Sequence, residues 1–160
     1  LELHTFLDRL EGCLDQLVRA DLPGAGMLIE AVGLSEHEPS LATAGWDTTI
    51  SLVQACVRGI DVVSEFRPFT LCVFLPGCSQ DAAMERAAKI QANLNTASQT
   101  WQSGACPERL AISISQIEST DSTALFLNRL ESALDDAIDA APNEVVIPDG
   151  ESSLFQKVSD

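Results

Sequence analysis

A chain of 160 residues, 46% of them hydrophobic, can bury the core of one domain, and no second domain is needed to account for it. Its formal charge of -15, from 24 acidic against 9 basic residues, argues against a broad electrostatic grip on nucleic acid or an anionic membrane. Any polyanionic ligand therefore needs a local cationic pocket. No apolar run approaches membrane-spanning length, and the amphipathic start LELHTFLDRLEGCLDQL is unlike a secretion signal, so a cytoplasmic domain is expected.

In chain order, Leu3, Phe6, Leu7, Leu10, Leu14 and Leu17 recur at helical spacing until Leu22-Pro23-Gly24 stops the helix. GMLIEAVGL reads as a buried strand, and a Gly- and Pro-punctuated loop follows to about Ala44. Trp46, Ile50, Val53 and Val57 form a helical stripe closing at Gly59. Two strands come next, about Val62 to Phe66 and Phe69 to Leu75. A long helix from Ser79 to about Trp101 turns Ala83, Ala87, Ile90 and Leu94 inward. RLAISISQI alternates as a strand, STALFLNRLESALDDAIDAA is a helix, and EVVI is a short last strand. From Pro148 the composition is that of a solvated tail. The order predicts an α/β (α+β) domain, a single mixed sheet of about five strands flanked by helices, over residues 1–147, with a tail over 148–160.

The five cysteines, 13, 56, 72, 78 and 106, are odd in number, lack CxxC spacing and lie mostly among apolar neighbours, so reduced thiols are expected. His4 and His37 have no His or Cys at metal-ligand spacing. Neither a Ser-His-Asp order nor a G-x-S-x-G elbow is present, and no Gly-rich phosphate loop follows a strand.

The stretch DVVSEFRPFTLCVFLPG, residues 61–77, with LAISISQI, LESALDDAIDAAPNEVVI and FLDRLEGCL, resembles in order and spacing the diguanylate cyclase or GGDEF domain, a nucleotidyl cyclase-like fold, over about residues 1–147. The resemblance aligns Arg67, Pro68, Phe69, Thr70 and Leu71 with the signature Gly-Gly-Asp/Glu-Glu-Phe. It implies a degenerate member. Glycines allow a nucleotide close to the backbone, whereas Arg67 and Pro68 add side chains and Pro68 removes an amide donor. Phe69 and Thr70 stand where the family's metal-binding carboxylates lie, so no metal cofactor is expected. The two acidic positions of the first strand align with Glu30 and Val32, and the phosphate-contacting lysine of the last long helix aligns with Ile138. The guanine-reading asparagine and aspartate align with Glu38 and Asp47 without a gap, or Thr43 takes the latter place after a four-residue deletion. Loss of metal, phosphate and base contacts together implies a domain without catalysis.

The resemblance also implies an inhibitory product site, an Arg-x-x-Asp whose Asp is separated from the signature by five intervening residues. Arg58-Gly59-Ile60-Asp61 fits that spacing. An Arg fork can bond guanine O6 and N7, and a carboxylate can accept from the ring N–H and exocyclic amine. Lys89 aligns with a further cation of the family, and Arg86 lies three residues earlier on the same helix face. Glu65 stands where the family often carries an Arg. The leading expectation is thus a pseudo-enzyme receptor for cyclic di-GMP through Arg58, Asp61, Arg86 and Lys89, with another domain or protomer bridged across the ligand. It is expected to be part of a longer protein with an upstream signalling segment. The alternative is an interaction domain without ligand, favoured by exposed Phe66, Phe69, Leu154 and Phe155. Residual cyclase activity comes third.

Overall fold

The computed structural model describes residues 2–102, 104–139 and 145–147. Helix α1 (Leu3–Ala20) buries Phe6, Leu10, Leu14 and Leu17 of its predicted stripe, with Leu3 and Leu7 partly buried at its edge. It stops where Asp21 turns left-handed at φ 54°, a conformation a short polar side chain tolerates, and the Leu22 amide bonds back to Leu17 O at 2.9 Å. Strand β1 (Gly24–Val32) is buried along nearly its whole length and forms the middle of the sheet. A single 3-10 turn (Leu34–Glu36) follows it.

Helix α2 (Pro39–Gln54) starts several residues before the end of the predicted loop, with proline in its first turn. The early turns lack an apolar stripe because they pack through small residues. A Cβ on Gly45 would sit 1.8 Å from Ala105 O, and the Ala105 amide bonds Leu41 O at 3.0 Å. Backbone contact replaces side-chain contact there.

The hairpin β2 (Val62–Arg67) and β3 (Thr70–Pro76) leads to α3 (Gln80–Ser98), whose Ser79 N-cap accepts from the Ala82 amide at 3.2 Å. Strand β4 (Arg109–Gln116), helix α4 (Thr123–Asp139) and the two-residue β5 (Val145–Val146) complete the order. The sheet runs β2-β3-β1-β4-β5, antiparallel except for the parallel β4–β5 pair. Alternation along the strands splits the core. Met27, Ile29, Val73 and Ile112 face α2 and α3, whereas Leu28, Phe74 and Ala111 face α1 and α4. Phe6, Phe74 and Phe126 are fully buried, each stabilising the fold by roughly 1.5–3 kcal/mol. Glu144, which opens the predicted EVVI strand, and the predicted tail, 148–160, lie outside the described residues.

Among the described residues no helix is long and apolar enough to cross a membrane. Their cysteines are all free thiols, and His4 and His37 are exposed. Burial pushes the Cys72 thiol far above its usual range.

Candidate functional site

Two places in the fold carry the residues singled out by sequence: the turn between β2 and β3, and the corner between α2 and β2. At the turn, Glu65 pairs with Leu71 and Arg67 with Thr70, leaving Phe66 as an extra residue. This bulge puts two successive side chains on one side of the sheet. Phe66 packs with the α1/α4 core, and Arg67 reaches Glu131 of α4 and Glu30 of β1, each at 3.5 Å. Thr70 Oγ1 also donates to Glu30, at 3.4 Å. A guanidinium thus lies between two carboxylates.

Phe69 has φ 59° behind a proline, a left-handed position that normally favours glycine and costs about 1–2 kcal/mol for a bulky side chain. Its ring meets Trp46 edge-on with centroids 5.9 Å apart. The Trp46 indole N–H donates to Glu65. Trp46 and Phe69 therefore occupy the space between α2 and the hairpin, and Glu65 is drawn toward α2. Phe66 and Phe69 are both packed rather than displayed, while Leu154 and Phe155 lie outside the described residues.

Leu71 is a buried core residue of β3. Ile138 packs on the α1/α4 core, and its carbonyl, with that of Ala137 at 3.2 Å, accepts from Arg109, which caps the α4 end from the neighbouring strand.

At the α2–β2 corner, Arg58 and Asp61 close one tight turn. The Arg58 amide donates to Asp61 Oδ2 at 2.7 Å, the Asp61 amide to Arg58 O at 3.0 Å, and Arg58 Nη2 to Asp61 Oδ1 at 2.7 Å. Nη2 also reaches Pro76 O at 2.9 Å and Cys78 Sγ at 3.1 Å. The hydrogen bond to Asp61 raises the Arg58 pKa, against the cost of burial. The Asp61 side chain is 0% exposed, and that of Arg58 38%. The two groups converge on each other: the carboxylate is sealed and orients the guanidinium, whose Nη1 has no hydrogen-bond partner among the described residues.

Beside this pair a cleft of about 370 Å³ is lined by Arg9, Gln54, Val57, Arg58, Gly59 and Asp61, with Val62 and Val63. Arg86 lies on the far side of Asp61, at 4.0 Å from Oδ2, and donates to Cys56 O at 2.8 Å. Lys89, one turn along α3, is exposed. The structure thus brings Arg58, Asp61 and Arg86 together, with Asp61 between two arginines. Sequence reasoning did not single out Arg9 or Cys78, which enter only through the packing of α1 and of the segment after β3. A roomier hollow of about 430 Å³ between α1 and the start of α4 is lined by Glu11, Asp15 and Asp121. Its charge has the wrong sign for a phosphate, which makes the smaller cleft the better candidate.

No family profile and no curated sequence matches this chain. Solved structures do match its fold. The GGDEF domain of PA1120 (TpbB or YfiN) from Pseudomonas aeruginosa superimposes with a TM-score of 0.81 at 17% identity, over 98% of this chain and 94% of that one. The GGDEF domain of DgcB from Caulobacter crescentus, solved in complex with c-di-GMP, gives 0.79 at 10% identity, over 92% and 90%. The active GGEEF domain of a diguanylate cyclase from Vibrio cholerae gives 0.76 at 12% identity, over 91% and 96%. Among the described residues, five strands in a mixed sheet flanked by four helices form the GGDEF-domain fold.

Proposed function

We propose that this is a GGDEF-fold domain without cyclase activity that binds cyclic di-GMP at the α2–β2 corner, through Arg58 held by Asp61. The observation that carries it is a guanidinium fixed in orientation by a fully buried carboxylate, with one nitrogen left over, at the edge of a cleft. An immobilised donor loses little freedom on meeting a ligand, and the charged N–H groups of Nη1 suit guanine O6 or N7 as well as phosphate oxygens. In this arrangement Asp61 acts as a positioning residue and base reading falls to Arg58. Arg86 backs the same carboxylate from α3, and Lys89 is exposed one turn further along that helix. Ile60, 63% exposed at the tip of the turn, offers an apolar contact to whatever domain or protomer shares the ligand.

Two features support the absence of catalysis. Arg67 serves as counter-ion to Glu30 and Glu131, and Trp46 with Phe69 fills the space between α2 and the hairpin. No metal cofactor is invoked.

Calorimetric titration of the domain with cyclic di-GMP is expected to saturate and to fail in Arg58→Ala, with Asp61→Asn intermediate because the guanidinium loses its anchor. Heat signals identical in wild type and Arg58→Ala would refute the site. Incubation with GTP and magnesium is expected to give no cyclic di-GMP; product formed above background would restore the cyclase reading.

A further inference from the structure

Of the nine basic residues, Lys157 lies outside the described residues, and six of the other eight are committed within the fold. Arg19 pairs with Asp15, Arg58 with Asp61, Arg67 with Glu30 and Glu131, and Arg129 with Asp121; Arg86 and Arg109 bond backbone carbonyls. Among the described residues, only Arg9 and Lys89 carry no such partner. Arg9 is one of the residues lining the cleft beside Arg58. Its own helix leaves it free, since the positions three and four residues away are Thr5, Phe6, Gly12 and Cys13, none a carboxylate.

Arg58 and Asp61 cancel as a pair, and Arg86 is turned to Asp61 and Cys56 O behind them. The uncompensated positive charge in the lining is that of Arg9, in a chain of net charge -15 that otherwise repels anions. We propose that Arg9 is the second cation of this site and neutralises a phosphodiester of the ligand whose guanine edge Arg58 Nη1 reads, while Val57, Val62 and Val63 supply an apolar wall for the base. This deepens the binding reading above and rests on it. It also assigns the charge-neutralising role to α1 rather than to α3, so that a bound ligand ties the first helix to the turn at residues 58–61.

The test is titration of the full 160-residue chain with cyclic di-GMP, in wild type, Arg9→Ala, Lys89→Ala and Arg58→Ala. Arg9→Ala is expected to weaken binding at least ~10-fold with no change in melting temperature, because the side chain has no intramolecular partner, and Lys89→Ala by less than ~2-fold. Hydrogen exchange should slow in α1 on adding ligand to wild type, and not in Arg9→Ala at saturating ligand. Arg58-dependent binding with wild-type affinity in Arg9→Ala, or a larger loss in Lys89→Ala than in Arg9→Ala, would overturn the Arg9 assignment and leave the binding reading standing. A wild type that binds nothing would overturn both.

Discussion

The same turn is built twice in this molecule, and only one copy has a cation to spare. At 58–61 the first residue's amide donates to the aspartate three positions on, and the aspartate's amide donates back to the first carbonyl, at 2.7 and 3.0 Å. At 118–121 the Glu118 and Asp121 groups repeat this at 2.8 and 3.0 Å. Both carboxylates are sealed, with side-chain exposures of 0% and 2%. The arginines differ. Arg129 comes from α4 and spends every guanidinium nitrogen: Nε on Ser115 Oγ, Nη1 on Asp121, Nη2 on Asp121 and Gln116 O. Arg58 belongs to its own turn and engages only Nε and Nη2. A buried aspartate gripping an arginine is therefore a structural device in itself, and the capacity to bind lies in what the arginine has left over.

Arg129→Met should give the largest loss of stability, about 3 kcal/mol by urea denaturation, because Asp121 would be left buried without its counter-charge. Cyclic di-GMP affinity should not change under conditions where the variant stays folded. Arg58→Met should reverse the balance. Its stability cost should be smaller, about 1–2 kcal/mol, since Arg86 and the residue 58 amide still face Asp61, while binding is lost. Equal stability losses in the two variants would break the distinction. Phe69→Ala serves as a control at neither turn: it removes the Trp46 contact but keeps the left-handed backbone, for about 1–2 kcal/mol and no change in affinity.

The smallest effect is on acid stability. Burial alone would raise the Asp121 pKa, but hydrogen bonds from Arg129 and the Glu118 amide, with the charge of Arg129, hold it below the ordinary carboxylate value. The folded state then binds fewer protons there than the unfolded chain. The contribution is complete above the ordinary value and is lost as pH falls through the lowered one. Asp121→Asn should therefore be less stable than wild type at neutral pH, with the gap narrowing toward strong acid. A gap that widens in acid would contradict the assignment.

The central strands were legible in the sequence because β1 and β3 are buried on both faces and are mostly apolar, with Glu30 the one charged residue in β1. The start of α2 was not, since Gly45 against the Ala105 carbonyl leaves no periodic apolar trace. At the site, the spacing of Arg58 and Asp61 could be read along the chain. Their mutual orientation could not, because it depends on Pro76 O and Cys78 Sγ across the hairpin. Arg9 lies 49 positions from Arg58 (58 less 9), so only the packing of α1 brings it to the cleft.

Arg67 between Glu30 and Glu131 has a consequence for how this end of the sheet responds to its solution. A counter-ion carried on the polypeptide cannot be diluted away, exchanged or chelated, so its local concentration is fixed by the bulge that aims it. Hairpin stability should then be indifferent to chelators, and should soften only as rising ionic strength, whichever salt supplies it, screens pairs that are already loose at 3.5 Å.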